Sequence, residues 1–203
     1  METLRILSWF SPLVALVLGW RYRRFSLLWM YCLLALLIDS LAYMIRFVWK
    51  FPFDLPNIGN LFLLMELLIF GKFFYHYLFK KNKLFGCSVL VVSFVFLVHT
   101  LMNGVYEQNK IGSLFLLLGY MVACMFGFRS ILKEQKIAHL ERSFTFWSLV
   151  AILWYAAGSF FIFLALSIFD DAVTNRAIYL LIYTNINLVR YLILGVALYQ
   201  KND

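Results

Sequence analysis

The chain lacks most of what a soluble catalyst is built from. Only 14% of its 203 residues are charged, only three are Pro, three Cys and three His, and no phosphate-cradling Gly-rich loop interrupts its apolar runs. Soluble domains carry about 25% charged residues, so a water-soluble fold is excluded. Cys32, Cys87 and Cys124 fall in three separate apolar stretches with no His or second Cys at ligand spacing. They read as small apolar side chains, and neither a disulfide framework nor a metal site nor a cofactor is expected.

What is abundant is hydrophobic length. The composition is 64% hydrophobic and 20% aromatic, with a mean hydropathy of +0.85. Apolar segments run approximately over 6–20, 25–48, 57–79, 84–104, 111–130, 144–168 and 177–199, separated by short polar or Pro-containing breaks. Crossing the hydrocarbon core takes about 20 residues per helix, and in lipid a helix satisfies every backbone hydrogen bond within its own segment. The alternation of a membrane β-barrel is missing. The expectation is an all-α, polytopic bundle of about seven transmembrane helices forming one domain over 1–203.

Two features bear on orientation. The first apolar stretch is followed by Arg21, Arg23 and Arg24 and has bulky residues where a leader-peptide cleavage site needs small ones, so it reads as a retained helix. One side of the bundle carries Arg21, Arg23, Arg24, Lys80, Lys81, Lys83, Arg129, Lys133, Lys136, Arg142 and Lys201, against Arg5, Arg46, Lys50, Lys110 and Arg176 on the other. The basic side belongs in the cytoplasm, giving an outside N-terminus and an inside C-terminus. The net charge of +8 is then chiefly an orientation signal, with an affinity for anionic headgroups, and not a nucleic-acid footprint.

A weak self-similarity links the third and seventh segments. Glu66 to Tyr75 aligns without gaps on Arg190 to Tyr199 at an offset of 124, and Trp29 falls nearly opposite Trp154. This fits a parallel repeat of two three-helix units joined by the fourth span, an arrangement found in some transporters.

The most informative residues are the ionisable ones at membrane depth, each costing at least ~2.5–3.5 kcal/mol there. At a rise of ~1.5 Å per residue, Glu66 lies about 15 Å, Arg190 about 21 Å and Asp39 about 10 Å below the outer ends of their spans. An Arg side chain bridges the first two depths, so a Glu66–Arg190 pair is expected where the helices meet. Two acids and one base sum to −1, which makes a carboxyl that exchanges a proton a candidate coupling group. Helical spacing places Tyr183, Asn187, Arg190 and Leu194 on one face with Tyr191 at its edge, and Cys32, Asp39, Tyr43 and Arg46 on another. Ser148, Tyr155 and Ser159 line up beside Gly158, and Asn57 and Asn60 fall near the outer mouth. These stripes either wall a polar cavity or supply interhelical hydrogen bonds. The ligand-binding or coupling candidates are therefore Asp39, Glu66, Arg190, Asn187, Tyr183, Tyr155, Asn60 and Tyr191. His99 with Asn103, and Lys72 beside His76, read as structural or interfacial. No catalytic residue is assigned.

Glu66 amid leucines followed by Lys80-Lys81-Asn82-Lys83, Phe146-Trp147 leading into Tyr155-Ala156-Ala157-Gly158-Ser159, and Asn185-Ile186-Asn187 before Tyr191 resemble a group of small multi-span membrane proteins common in Bacteroidota. The resemblance implies a bacterial inner-membrane setting and no mechanism, since that group has no established activity. The leading functional expectation is a carrier or permease for a small polar or amphiphilic solute, with proton coupling at the intramembrane acids. One alternative is a receptor-like or assembly subunit with a protein partner in the membrane. The other is a lipid-modifying enzyme, whose cytoplasmic-side candidates would be His76, His139 and Glu141.

Overall fold

The computed structural model describes residues 2–22, 26–44, 56–78, 83–102, 110–134, 140–168 and 172–200. These form seven α-helices: α1 (Glu2–Gly19), α2 (Leu27–Tyr43), α3 (Pro56–Tyr77), α4 (Lys83–Met102), α5 (Lys110–Glu134), α6 (Phe144–Ile168) and α7 (Ala172–Tyr199), with a single 3-10 turn at Leu140–Arg142 before α6. No β-strand occurs among the described residues. Among the described residues, three helices contain stretches long and apolar enough to cross a membrane, at Gly112–Lys133, Phe144–Ala165 and Leu181–Tyr199, and shorter apolar stretches lie in α1, α2 and α4. The chain is a membrane-associated helical protein.

The surface agrees with that setting. Phe94, Phe115, Met125 and Phe161 are each more than 60% exposed, while Glu66 and Arg190 are enclosed. A protein in water would reverse this, because a monomer rarely shows large contiguous apolar patches to solvent.

Local chemistry starts and repairs the helices. Ser26 caps α2 by accepting from the Trp29 backbone N–H at 3.3 Å, and Ser143 caps α6 by accepting from Phe146 N–H at 3.1 Å. Each satisfies a donor that the first turn cannot pair internally. Pro12, inside α1, has no N–H to give the carbonyl four residues back, which is that of Ser8. The Ser11 hydroxyl donates to that same carbonyl at 2.6 Å instead. Other hydroxyls are likewise tied to their own helices: Ser93 to Val89 O, Thr100 to Phe96 O and Ser148 to Phe144 O, at 2.7 to 2.8 Å. Ser148 thus serves its own helix rather than a neighbour.

Around the bundle, α1 packs between α2 and α7, α7 on α6, α6 on α5, and α2 on α3; α4 packs on α3, and α3 touches α5 only lightly. The α1–α7 seam depends on a glycine. A Cβ at Gly195 would stand 2.8 Å from Leu18 Cδ1 and 3.4 Å from the Ala15 Cα, so the two backbones approach closely there. Close approach through small residues is how membrane helices gain packing when lipid is as apolar as their own side chains. Gly195→Ala should be nearly tolerated, since the end of Leu18 can turn aside. Gly195→Leu should lower stability by about 1–3 kcal/mol through overpacking, read as an earlier midpoint in detergent-denaturation assays.

Candidate functional site

Four helices deliver five side chains to a closed polar cluster, two of them from α7. Glu66 of α3 is wholly buried and Arg190 of α7 is 2% exposed, and they meet with Arg190 Nη1 at 3.2 Å from Glu66 Oε1. The Tyr31 hydroxyl, from α2, donates to the same Oε1 at 2.7 Å, and the Tyr155 hydroxyl, from α6, donates to Oε2 at 3.0 Å. Arg190 Nη2 donates to the Tyr191 hydroxyl at 2.7 Å. Both carboxylate oxygens therefore hold partners, as burial of a charge in an apolar medium demands.

Aromatic faces enclose the guanidinium. Its Cζ lies 3.9 Å from the Tyr155 ring centroid, 4.5 Å from Tyr191 and 5.5 Å from Tyr31. A desolvated cation over such faces gains on the order of 2 kcal/mol per favourable contact. Tyr155 has two tasks at once, stacking on the cation while donating to its counter-ion.

Not every polar atom is satisfied. Arg190 Nε and Asn187 Oδ1, one turn apart on α7, are buried without a hydrogen-bond partner, as are Ser159 Oγ and the Tyr120 hydroxyl. Tyr183 is half-buried, one turn from Asn187 on α7, and within electrostatic range of Asp39, Glu66 and Arg190. Asp39 is half-buried and within electrostatic range of Arg190 and Tyr191. A graded polar column thus follows α7 from Tyr183 and Asn187 to Arg190, with Asp39 alongside it. Asn60 of α3 is buried at 4% exposure.

The sequence-predicted residues divide accordingly. Glu66, Arg190, Tyr155 and Tyr191 are brought into direct contact, while Asn187, Tyr183 and Asp39 flank them. The pairing of Trp29 with Trp154 is not structural equivalence: Trp29 is buried and donates Nε1 to Leu16 O at 3.1 Å, whereas Trp154 is 46% exposed. Tyr43 and Glu141 fall in described helical or turn segments, but their side chains are outside the description, as is Asn57; Arg46, Asn103 and His139 lie outside the described residues. Lys72, His76 and His99 are exposed. Among the described residues no group of three or more His, Cys, Asp or Glu is placed to hold a metal ion.

Tyr31 and Tyr120 were not singled out by sequence. A signal for Tyr31 existed: it precedes Glu66 by 35 residues, and Tyr155 precedes Arg190 by the same interval, 190 − 155 = 35. Tyr120 had no comparable mark among the chain's 12 tyrosines. Compared with protein-family models, curated proteins and solved structures, the chain matches none, and its functional reading rests on its own residues.

Proposed function

We propose that the chain is a multi-pass carrier for a small polar or amphiphilic solute, with seven membrane-crossing helices, its N-terminus outside and its C-terminus in the cytoplasm of a bacterial inner membrane. The observation that carries the reading is the unpaired donor and acceptor, Arg190 Nε and Asn187 Oδ1, set one turn apart beside a fully buried acid–base pair. Unsatisfied buried polar groups cost about 1–3 kcal/mol each, and intramembrane charges are functional sites by default. A solute bearing both an acceptor and a donor removes that cost on arrival. Competition for Arg190 loosens its hold on Glu66, whose carboxylate then takes up a proton to balance the charge left behind.

The register of the cluster supports a repeat of two three-helix units. Glu66 and Arg190 are 124 residues apart, and so are Tyr31 and Tyr155, since the separations of 35 and 89 that join them to Glu66 sum to 124. Two related halves meeting at a central polar site suit an alternating movement of one half against the other.

The test uses accessibility rather than a guessed substrate. With Cys32, Cys87 and Cys124 replaced, Asn187→Cys in oriented membranes should react with an impermeant thiol reagent from the outside and, in a second population, from the cytoplasm. Failure to react from either side while the unfolded protein reacts fully would overturn the carrier reading. That outcome would favour a second reading, an assembly or receptor-like subunit, which is supported by the partners that both Glu66 oxygens already hold and by the enclosure of Arg190.

A further inference from the structure

Phe70 follows Glu66 by one turn on α3 and is wholly buried between two tyrosines. Its ring centroid lies 5.0 Å from that of Tyr31, on α2, and 5.2 Å, edge to face, from that of Tyr120, on α5. The Tyr31 hydroxyl donates to Glu66. Tyr120 also packs on Phe74 at 6.3 Å, is 4% exposed, and lies within electrostatic range of both Glu66 and Tyr155. Its buried hydroxyl nevertheless has no hydrogen-bond partner. Packing alone would be served by phenylalanine, the residue that α3 uses at 70, 73 and 74. An unpaired hydroxyl in an apolar medium is a standing cost that the ring does not need.

The carboxylate beside it has capacity to spare. Glu66 Oε1 accepts from Tyr31 and Arg190, whereas Oε2 accepts from Tyr155 alone among the described residues. A carboxylate offers about four acceptor positions, so one remains on the oxygen that faces Tyr155, the second group within range of Tyr120. The packing lets Tyr120 approach. Its helix, α5, rests on α6, which carries Tyr155, but touches α3 only lightly, and a Cβ on the preceding Gly119 would meet nothing within 4 Å.

We propose that Tyr120 is a reserve hydrogen-bond partner for Glu66, positioned to bond its carboxyl when Arg190 or Tyr155 lets go. A hydroxyl donates to a carboxylate and accepts from its protonated form, so one side chain serves Glu66 on both sides of the proton uptake. The role in transport rests on the carrier reading, but the bond itself is tested on stability alone, in protein that moves no solute. Thiol access at position 187 tests the carrier reading separately.

The experiment places Tyr120→Phe in four proteins: the unaltered chain, Arg190→Met, Tyr155→Phe, and Glu66→Gln/Arg190→Met, with unfolding equilibria measured in one detergent. In the unaltered chain the change removes a hydroxyl without a partner, so the unfolding constant should stay within about twofold or fall. In Arg190→Met and in Tyr155→Phe the same change should raise it at least about fivefold, the worth of one hydrogen bond. In Glu66→Gln/Arg190→Met, where no carboxyl is left to hold, the effect should return to within about twofold. A hydroxyl that matters only to local packing cannot produce this contrast, because its cost is the same in every background. Should Arg190→Met fail to fold, Tyr155→Phe, which keeps the ring and removes only the bond to Oε2, carries the comparison. Equal effects of Tyr120→Phe in all folded backgrounds, or a fivefold loss already in the unaltered chain, would refute the reserve role.

Discussion

Arg190→Met should destabilise the protein by about 3–5 kcal/mol, because removing one member of a buried pair leaves the other charge uncompensated. Glu66 would keep its bonds from Tyr31 and Tyr155 but lose the only cation that bonds it among the described residues. Glu66→Gln should cost less: the remaining guanidinium still donates to Tyr191 and stays stacked on three tyrosine rings. The double variant Glu66→Gln/Arg190→Met should recover most of the loss. A neutral amide can accept from Tyr31 and donate to Tyr155, and no charge is then buried. A charge-exchanged pair should recover less, since an arginine at 66 meets two hydroxyls that now donate to a carboxylate. Denaturation midpoints of the four proteins in one detergent form the cycle, and losses that simply add would refute the coupling.

This pair was legible in the sequence for a physical reason. Charges are too costly in hydrocarbon to be there by accident, and counting the helical rise from the span ends put Glu66 and Arg190 within one arginine's reach. The seven apolar runs were legible because helix is the conformation that closes its own hydrogen bonds in lipid; α5 runs on to Glu134, past the expected end at 130, because Ile131 and Leu132 continue the apolar stretch for another turn beyond Arg129. Asp39 lies at a height that helical spacing does not determine. Tyr31 sets which part of α2 lies level with Glu66, and Asp39 is eight residues further on, about 12 Å along the axis. It therefore flanks the cluster instead of joining it. Helical spacing reports faces, but it does not report how far one helix has slid along another.

Tyr155 should separate two contributions that coincide at one side chain. Tyr155→Phe keeps the ring 3.9 Å from the Arg190 Cζ and removes only the hydroxyl bonded to Glu66 Oε2. Its cost should be about 1–2 kcal/mol, between the ~0.6 kcal/mol average for polar contacts in a membrane protein and the ~1.5–3 kcal/mol of a bond to a charged group. Tyr155→Ala loses that hydroxyl bond too and should cost about 4–7 kcal/mol more, combining the cavity left by a buried aromatic ring, ~3–5 kcal/mol, with loss of the closest cation–π contact, ~1–2 kcal/mol. The gap matters more than either value. Were the hydroxyl the main contribution, Phe and Ala would be nearly equal in detergent melts, and the guanidinium would be held by Glu66 and Tyr191 with little help from the Tyr155 ring. A gap between Phe and Ala larger than the ~3–5 kcal/mol of the cavity alone means that the tyrosine ring itself holds Arg190 in place. Arg190 could then leave Glu66 for a solute and remain solvated by aromatic faces, which is the property an arginine must have to exchange partners inside a membrane.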